Sequence, residues 1–169
     1  SSIHSVASFF ISRLDAAVDS QLPADSSLRG KAAVANAQLA YAAFQEAFAS
    51  PRAQTLIEQG ANLQRPLWAS TGVKDPSYSD TKYVSELVVA VSVNTMPEST
   101  LLATADHGVI SGDNVTAKSD EAAQVFANLA AAGIDLPAVF DHLEADGVKK
   151  FIDSWTDLQA TVSAEMNKA

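Results

Sequence analysis

Three times within the first 112 residues a short apolar run gives way to a segment with helical spacing. That alternation constrains the fold more than any other feature. Successive strands joined by helices pair in parallel, because each helix carries the chain back along the sheet. The first run, Ile3 to Phe10, is rich in β-branched and aromatic residues and predicts a buried strand. Ser12 to Ser20 has room for a helical turn or two, and Leu22 to Ser27 reads as a polar loop. Asp25 to Ser27 would cap a long helix from Leu28 to Phe48, with Val34, Ala37, Tyr41, Phe44 and Phe48 on its buried face. Ser50 and Pro51 restart a helix that Gly60 ends. Leu67 to Ser70 is the second strand, followed by a helix capped at Ser79 or Asp80 and running through Val88. Val91 to Thr95 is the third strand, and Pro97 to Asp106 the helix after it.

Beyond Gly112 the strands stop. Ser119 is placed to cap a helix with Ala122, Val125, Phe126 and Leu129 inward and Gly133 at its end. Another helix starts within "GIDLPAVFDHL". Val148, Phe151, Ile152, Trp155, Leu158, Val162 and Met166 then form a long apolar stripe, with Trp155 most simply read as core. Residues 1–112 are thus expected to hold three βα units, and residues 113–169 a helical extension packed on them. Three units are too few for an eight-stranded barrel of about 250 residues. By spacing alone the chain is either a small open sheet or the last part of a barrel.

The chain has 169 residues, a formal net charge of −9 and no cysteine. The missing cysteines exclude disulfides, thiolate metal sites and a cysteine nucleophile. The acidity argues against nucleic acid and anionic membranes as partners. No apolar run reaches the roughly 18 residues of a membrane helix, and the N-terminus does not read as a signal peptide. It has no initiator methionine and opens almost directly on a strand, which reads as a chain with a segment missing upstream.

Four stretches, "SVASFFISRLDAAVD", "RPLWASTGVKDPSYSDTKYV", "VNTMPESTLLATADHG" and "GIDLPAVFDHLEADGVKKFIDSWTDL", resemble the closing half of a transaldolase of the actinobacterial and cyanobacterial branch. The resemblance covers nearly the whole chain. It implies an α/β fold: the C-terminal part of a (β/α)8 TIM barrel, contributing strands six, seven and eight with their helices and the C-terminal helical tail. It also implies a cytoplasmic enzyme of the pentose phosphate pathway. Such an enzyme moves a dihydroxyacetone unit between sugar phosphates through a lysine Schiff base, without metal or coenzyme. Neither the Schiff-base lysine motif nor the early-strand acid/base carboxylates have a match here, so no catalytic residue is assigned to this chain.

The family places a serine, an aromatic two positions on and an arginine five positions on at the end of strand six. Ser8, Phe10 and Arg13 match all three. The resemblance implies that Ser8 and Phe10 line the sugar pocket and that Arg13 binds the substrate phosphate. A guanidinium at a strand's C-terminal end offers two parallel hydrogen bonds to phosphate; the plainer alternative is a solvated first-turn arginine. After strand seven the family has an arginine as a second phosphate ligand. This chain instead reads Ser70-Thr71-Gly72-Val73-Lys74. Ser70 and Thr71 then become substrate-binding candidates and Lys74 a phosphate-binding one, with Gly72 letting the phosphate approach. The alternative for Lys74 is a loop lysine paired with Asp75. A Schiff-base role for Lys74 is disfavoured, because Asp75 beside it would stabilise the charged amine. Asp15 and Asp19, four residues apart, are more simply surface carboxylates than an acid/base pair. His4, His107 and His142 share no metal-ligand spacing.

Two functional readings follow. In the first, this half supplies substrate and phosphate grip to a transaldolase whose N-terminal half carries the nucleophile. In the second, the chain is a non-catalytic half-barrel that assembles through its open sheet edges or binds phosphosugars.

Overall fold

The computed structural model describes residues 2–168. Strands β1 (Ser5–Phe10), β2 (Gln64–Ala69) and β3 (Val93–Asn94) form one parallel sheet in the order β1-β2-β3. Between β1 and β2 run α1 (Ser12–Asp19), α2 (Ala32–Ala49) and α3 (Pro51–Glu58). Between β2 and β3 lies only the short α4 (Lys82–Ser85). After β3 come α5 (Glu98–His107), α6 (Ser119–Ala131) and α7 (Leu136–Met166). The βα repeat and the parallel pairing are as the sequence predicts.

Period-two alternation gives the sheet two distinct faces. Ala7, Phe9, Pro66 and Trp68 face an apolar groove of about 340 Å³ shared with Phe44 and Phe48 of α2. Phe9 meets Trp68 edge-on, with ring centroids 6.1 Å apart. Val6, Ser8, Phe10, Leu67 and Ala69 therefore lie on the opposite face. β1 was expected to be buried, but it is largely exposed. It is the edge of the sheet, so β2 covers only one of its sides.

Several helices differ from the pattern reading. The long helix starts at Ala32, not Leu28, because Gly30 adopts a left-handed φ of +68° that interrupts the helix before it can begin. The helix after β2 has four residues, not eight or nine. The valine-rich run beyond it is stiff at χ1 and disfavours helix, and Val91 turns left-handed at φ +56°. α6 begins at Ser119, but the serine side chain makes no cap. Within α6, Ala122 and Leu129 are buried, whereas Val125 and Phe126 are half-buried.

The chain divides into two compact units, one ending at Ile134 and the other starting at Asp135. The boundary expected at 112/113 does not divide the structure there, because α6 packs against α2 within the first unit. The second unit is essentially α7, capped at its start by the Asp135 carboxylate, which accepts from the Ala138 N–H. Its apolar stripe is exposed from Val148 to Met166, and Trp155, expected in a core, is 60% exposed. Among the described residues, no single helix is long and apolar enough to cross a membrane.

Candidate functional site

The C-terminal ends of β1 and β2 are bound together beyond the strands themselves. The Ile11 N–H donates to the Ala69 carbonyl (2.9 Å) and the Ser12 N–H to the Ser70 carbonyl (3.1 Å), so the parallel ladder runs on into the first turn of α1. Ser70 takes a left-handed φ of +57°, and its hydroxyl lies 3.4 Å from that of Ser12. On the open face of the sheet, Ser8 is exposed and Phe10 is 43% exposed. The Arg13 guanidinium lies over the Phe10 ring, 4.9 Å from its centroid. A contact of this kind is worth about 0.5–1 kcal/mol at an exposed site and holds the cation near the strand end. The structure thus brings Ser8, Phe10 and Arg13 together.

The second cluster is arranged differently. Thr71 is fully buried, and its hydroxyl lies 2.9 Å from the Asn94 amide oxygen and 3.0 Å from the Thr95 carbonyl. It fastens the end of β2 to the end of β3. A Cβ on Gly72 would come within 3.0 Å of Pro97 Cγ, so packing against Pro97 accounts for this glycine without any ligand. Lys74 is exposed and, among the described residues, has no carboxylate within ion-pair distance. The alternative reading, a pairing with Asp75, is absent because Asp75 is taken by others. Its carboxylate accepts from the Ser77 amide and hydroxyl and lies 3.5 Å from Arg29. The Ser77 hydrogen bonds, first the amide and then the hydroxyl, hold the Asp75 pKa below the usual carboxylate value. Lys74 lines a cavity of about 440 Å³ with Ser12, Asp15, Asp19, Arg29 and Tyr78; Arg13 is not among the lining residues.

That cavity borders a polar network that the sequence reading missed. Asp15 and Asp19 are buried. The Asp15 carboxylate accepts from the Ala33 N–H (2.8 Å) and the Tyr83 hydroxyl (2.6 Å). Asp19 accepts from the Gly30 N–H (2.9 Å) and the Tyr78 hydroxyl (2.7 Å). α2 has no capping side chain of its own, so Asp15 of α1 satisfies an orphan amide of its first turn. Burial pushes the Asp15 carboxyl above its ordinary value, against the lowering effect of its two donors. Burial and the neighbouring Asp19 push the Tyr78 phenol up to about 12, and burial with Asp15 raises Tyr83 further. Lys82 completes the network by donating to the Gly30 carbonyl (2.7 Å).

The signal for these carboxylates was present in the chain. Ile11, Leu14, Asp15, Val18, Asp19 and Leu22 follow the three-four spacing of one helix face, and all six are buried. A carboxylate on such a stripe requires donors from elsewhere, and no local pattern identifies them as the amides of residues 30 and 33.

The same network makes Gly30 sensitive. A Cβ there would lie 2.8 Å from the Tyr78 ring, in a left-handed conformation. Gly30→Ala is expected to lower unfolding free energy by about 1–3 kcal/mol in urea denaturation.

Of the histidines, His107 lies between Asp80 (2.9 Å) and Asp106 (3.1 Å) at the exposed end of α5. Its hydrogen bonds to Asp80 and Asp106 raise its pKa. No group of three or more potential metal ligands occurs among the described residues.

A three-stranded parallel sheet with its connecting helices places the chain among α/β proteins. The family model for transaldolase/fructose-6-phosphate aldolase matches residues 1–162, and the chain belongs to that family. It is 57% identical to a transaldolase of Saccharopolyspora erythraea over 170 residues, covering 99% of this chain and 46% of the relative. It is 56% identical to a transaldolase of Mycolicibacterium paratuberculosis, covering 100% of this chain and 47% of the relative. A Mycolicibacterium smegmatis transaldolase is 53% identical with the same coverage. The chain therefore spans about half the length of the curated relatives it matches.

Proposed function

We propose that this chain is the substrate-gripping half of a transaldolase, contributing barrel strands six to eight to an enzyme that transfers a dihydroxyacetone unit between sugar phosphates. The observation that carries this reading is the Arg13 guanidinium held over Phe10 beside exposed Ser8 at the end of β1. Arg13 takes the substrate phosphate in a two-bond grip, and Ser8 and Phe10 border the sugar. Lys74, exposed and without an ion pair among the described residues, supplies a second positive charge to the phosphate. Ser70 borders the substrate through its hydroxyl. Thr71, expected to touch substrate, acts instead from beneath by fixing the strand ends. The Schiff-base lysine belongs to the N-terminal half, which pairs with the exposed edge of β1, and the assembled enzyme works in the cytoplasm.

The purified chain alone is expected to show no aldol transfer from fructose 6-phosphate. Borohydride trapping with that sugar, mapped by peptide mass, is expected to leave Lys74 unmodified. Transfer activity together with an adduct on Lys74 would overturn the assignment and make this half a self-sufficient Schiff-base enzyme. The exposed β1 edge also favours a second reading, a non-catalytic module that self-associates. Stable dimers of the lone chain that persist when the complementary half is supplied would favour it.

A further inference from the structure

Lys74 and Asp75 are neighbours in the chain, yet their opposite charges do not meet. The Asp75 carboxylate turns the other way, to the Arg29 guanidinium 3.5 Å off. That guanidinium is fixed from behind, since it also donates to the carbonyls of Asp19 and Leu22. The segment that follows Asp75 is fixed too. The Ser77 amide donates to Asp75 (2.9 Å) and the Tyr78 hydroxyl to Asp19 (2.7 Å). Arg29 and Asp75 are partly sheltered, with side chains 26% and 35% exposed. Both line the cavity that Lys74 lines. A carboxylate in such a cavity opposes an incoming anion unless a cation answers it. Arg29 answers it and leaves the Lys74 ammonium without a carboxylate in ion-pair distance among the described residues.

We propose that Arg29 is a positioning residue for phosphate binding: by holding Asp75 it keeps the neighbouring carboxylate from neutralising Lys74. The inference rests on the proposed function, which gives Lys74 to the substrate phosphate. Arg29 itself touches no substrate. Without it, Asp75 turns to the adjacent lysine, and the phosphate meets a neutralised pair in place of a free cation.

Acylation of Lys74 by an N-hydroxysuccinimide ester, mapped by peptide mass, tests the hold of Arg29 on the chain as it stands. An ammonium paired with a carboxylate keeps its proton more firmly and reacts more slowly. Arg29→Gln is expected to slow the reaction by about threefold or more, and adding Asp75→Asn to restore it. Asp75→Asn alone should change it by less than about twofold, a comparison that needs no Arg29 variant to fold. Clearly faster acylation in Asp75→Asn alone would overturn the proposal, because Asp75 would then be restraining Lys74 despite Arg29.

The consequence for phosphate is read in a joined protein, in which this chain replaces the aligned region of the Saccharopolyspora erythraea transaldolase. There Arg29→Gln is expected to raise KM for fructose 6-phosphate by about three- to tenfold, with kcat unchanged and unphosphorylated fructose unaffected. Asp75→Asn in the same protein should bring KM back. A loss that persists in the double variant, or one equal for both sugars, would overturn the proposal and leave Arg29 as a tie between backbone carbonyls. If KM ignores Arg29→Gln but rises in Lys74→Ala, the inference alone fails. If KM ignores Lys74→Ala as well, the proposed function's placement of Lys74 fails with it. A joined protein without transfer activity, beside the expected acylation pattern, would support the hold of Arg29 on Asp75 and count against the proposed function.

Discussion

Replacing Asp15 with alanine is expected to cost about 2–5 kcal/mol of unfolding free energy. The substitution leaves the Tyr83 hydroxyl and the Ala33 amide without their acceptor in a buried setting. Each stranded donor costs about 1–3 kcal/mol. Asp15→Asn keeps the shape and one acceptor and should cost less. Adding Tyr83→Phe to Asp15→Ala removes one stranded donor and should recover part of the loss, so the double-mutant cycle reads the pair directly. Urea denaturation at neutral pH measures all five proteins: wild type, Asp15→Ala, Asp15→Asn, Tyr83→Phe and the double variant. The pH dependence has a definite sign. Burial raises the Asp15 pKa in the folded state above 3.8, so the folded protein binds a proton there more readily than the unfolded chain. This group's contribution to stability is therefore greatest below 3.8 and is lost as pH rises through the raised pKa. The advantage of wild type over Asp15→Asn should widen as pH falls from neutral towards 3.8. A constant gap across that range would show that Asp15 titrates no differently in the two states.

Arg13→Ala is expected to lower kcat/KM for fructose 6-phosphate by about 10–150-fold in the protein joined to its complementary half. This corresponds to the roughly 1.5–3 kcal/mol of a charged hydrogen-bonded contact. Arg13→Lys should fall between, because an ammonium keeps the charge but loses the two-pronged geometry. Unphosphorylated fructose provides the control. Its turnover should be nearly indifferent to both substitutions if Arg13 binds only phosphate. An equal loss for both sugars would instead assign Arg13 to holding Phe10 and the strand end in place.

The sequence disclosed the βα order and the grouping of Ser8, Phe10 and Arg13, because both depend on neighbours close along the chain. What it concealed depends on distant partners. α2 starts four residues later than its pattern because Gly30 turns left-handed, and its first-turn amide finds an acceptor on α1. Thr71 looks like a ligand hydroxyl until Asn94 and Thr95 are placed beside it. Lys74 looks paired with Asp75 until Ser77 and Arg29 occupy that carboxylate. The stripe of α7 has the spacing of a core helix, and spacing cannot say where the matching surface lies. Arg29, Tyr78 and Tyr83 carry no local motif and gain their roles only by meeting the carboxylates of α1.

The capping of α2 by carboxylates on another helix also bears on how this protein can change over generations. A helix capped by its own serine or aspartate can exchange one capping residue for another in a single step. Here the acceptor at residue 15 serves both an amide eighteen residues on and a hydroxyl sixty-eight residues on. Losing the acid strands two donors at once, while losing Tyr83 alone strands none but leaves a buried charge less well held. Drift at this place is therefore biased in order: losing the acid after the tyrosine strands one donor, the Ala33 amide, where losing it first strands two.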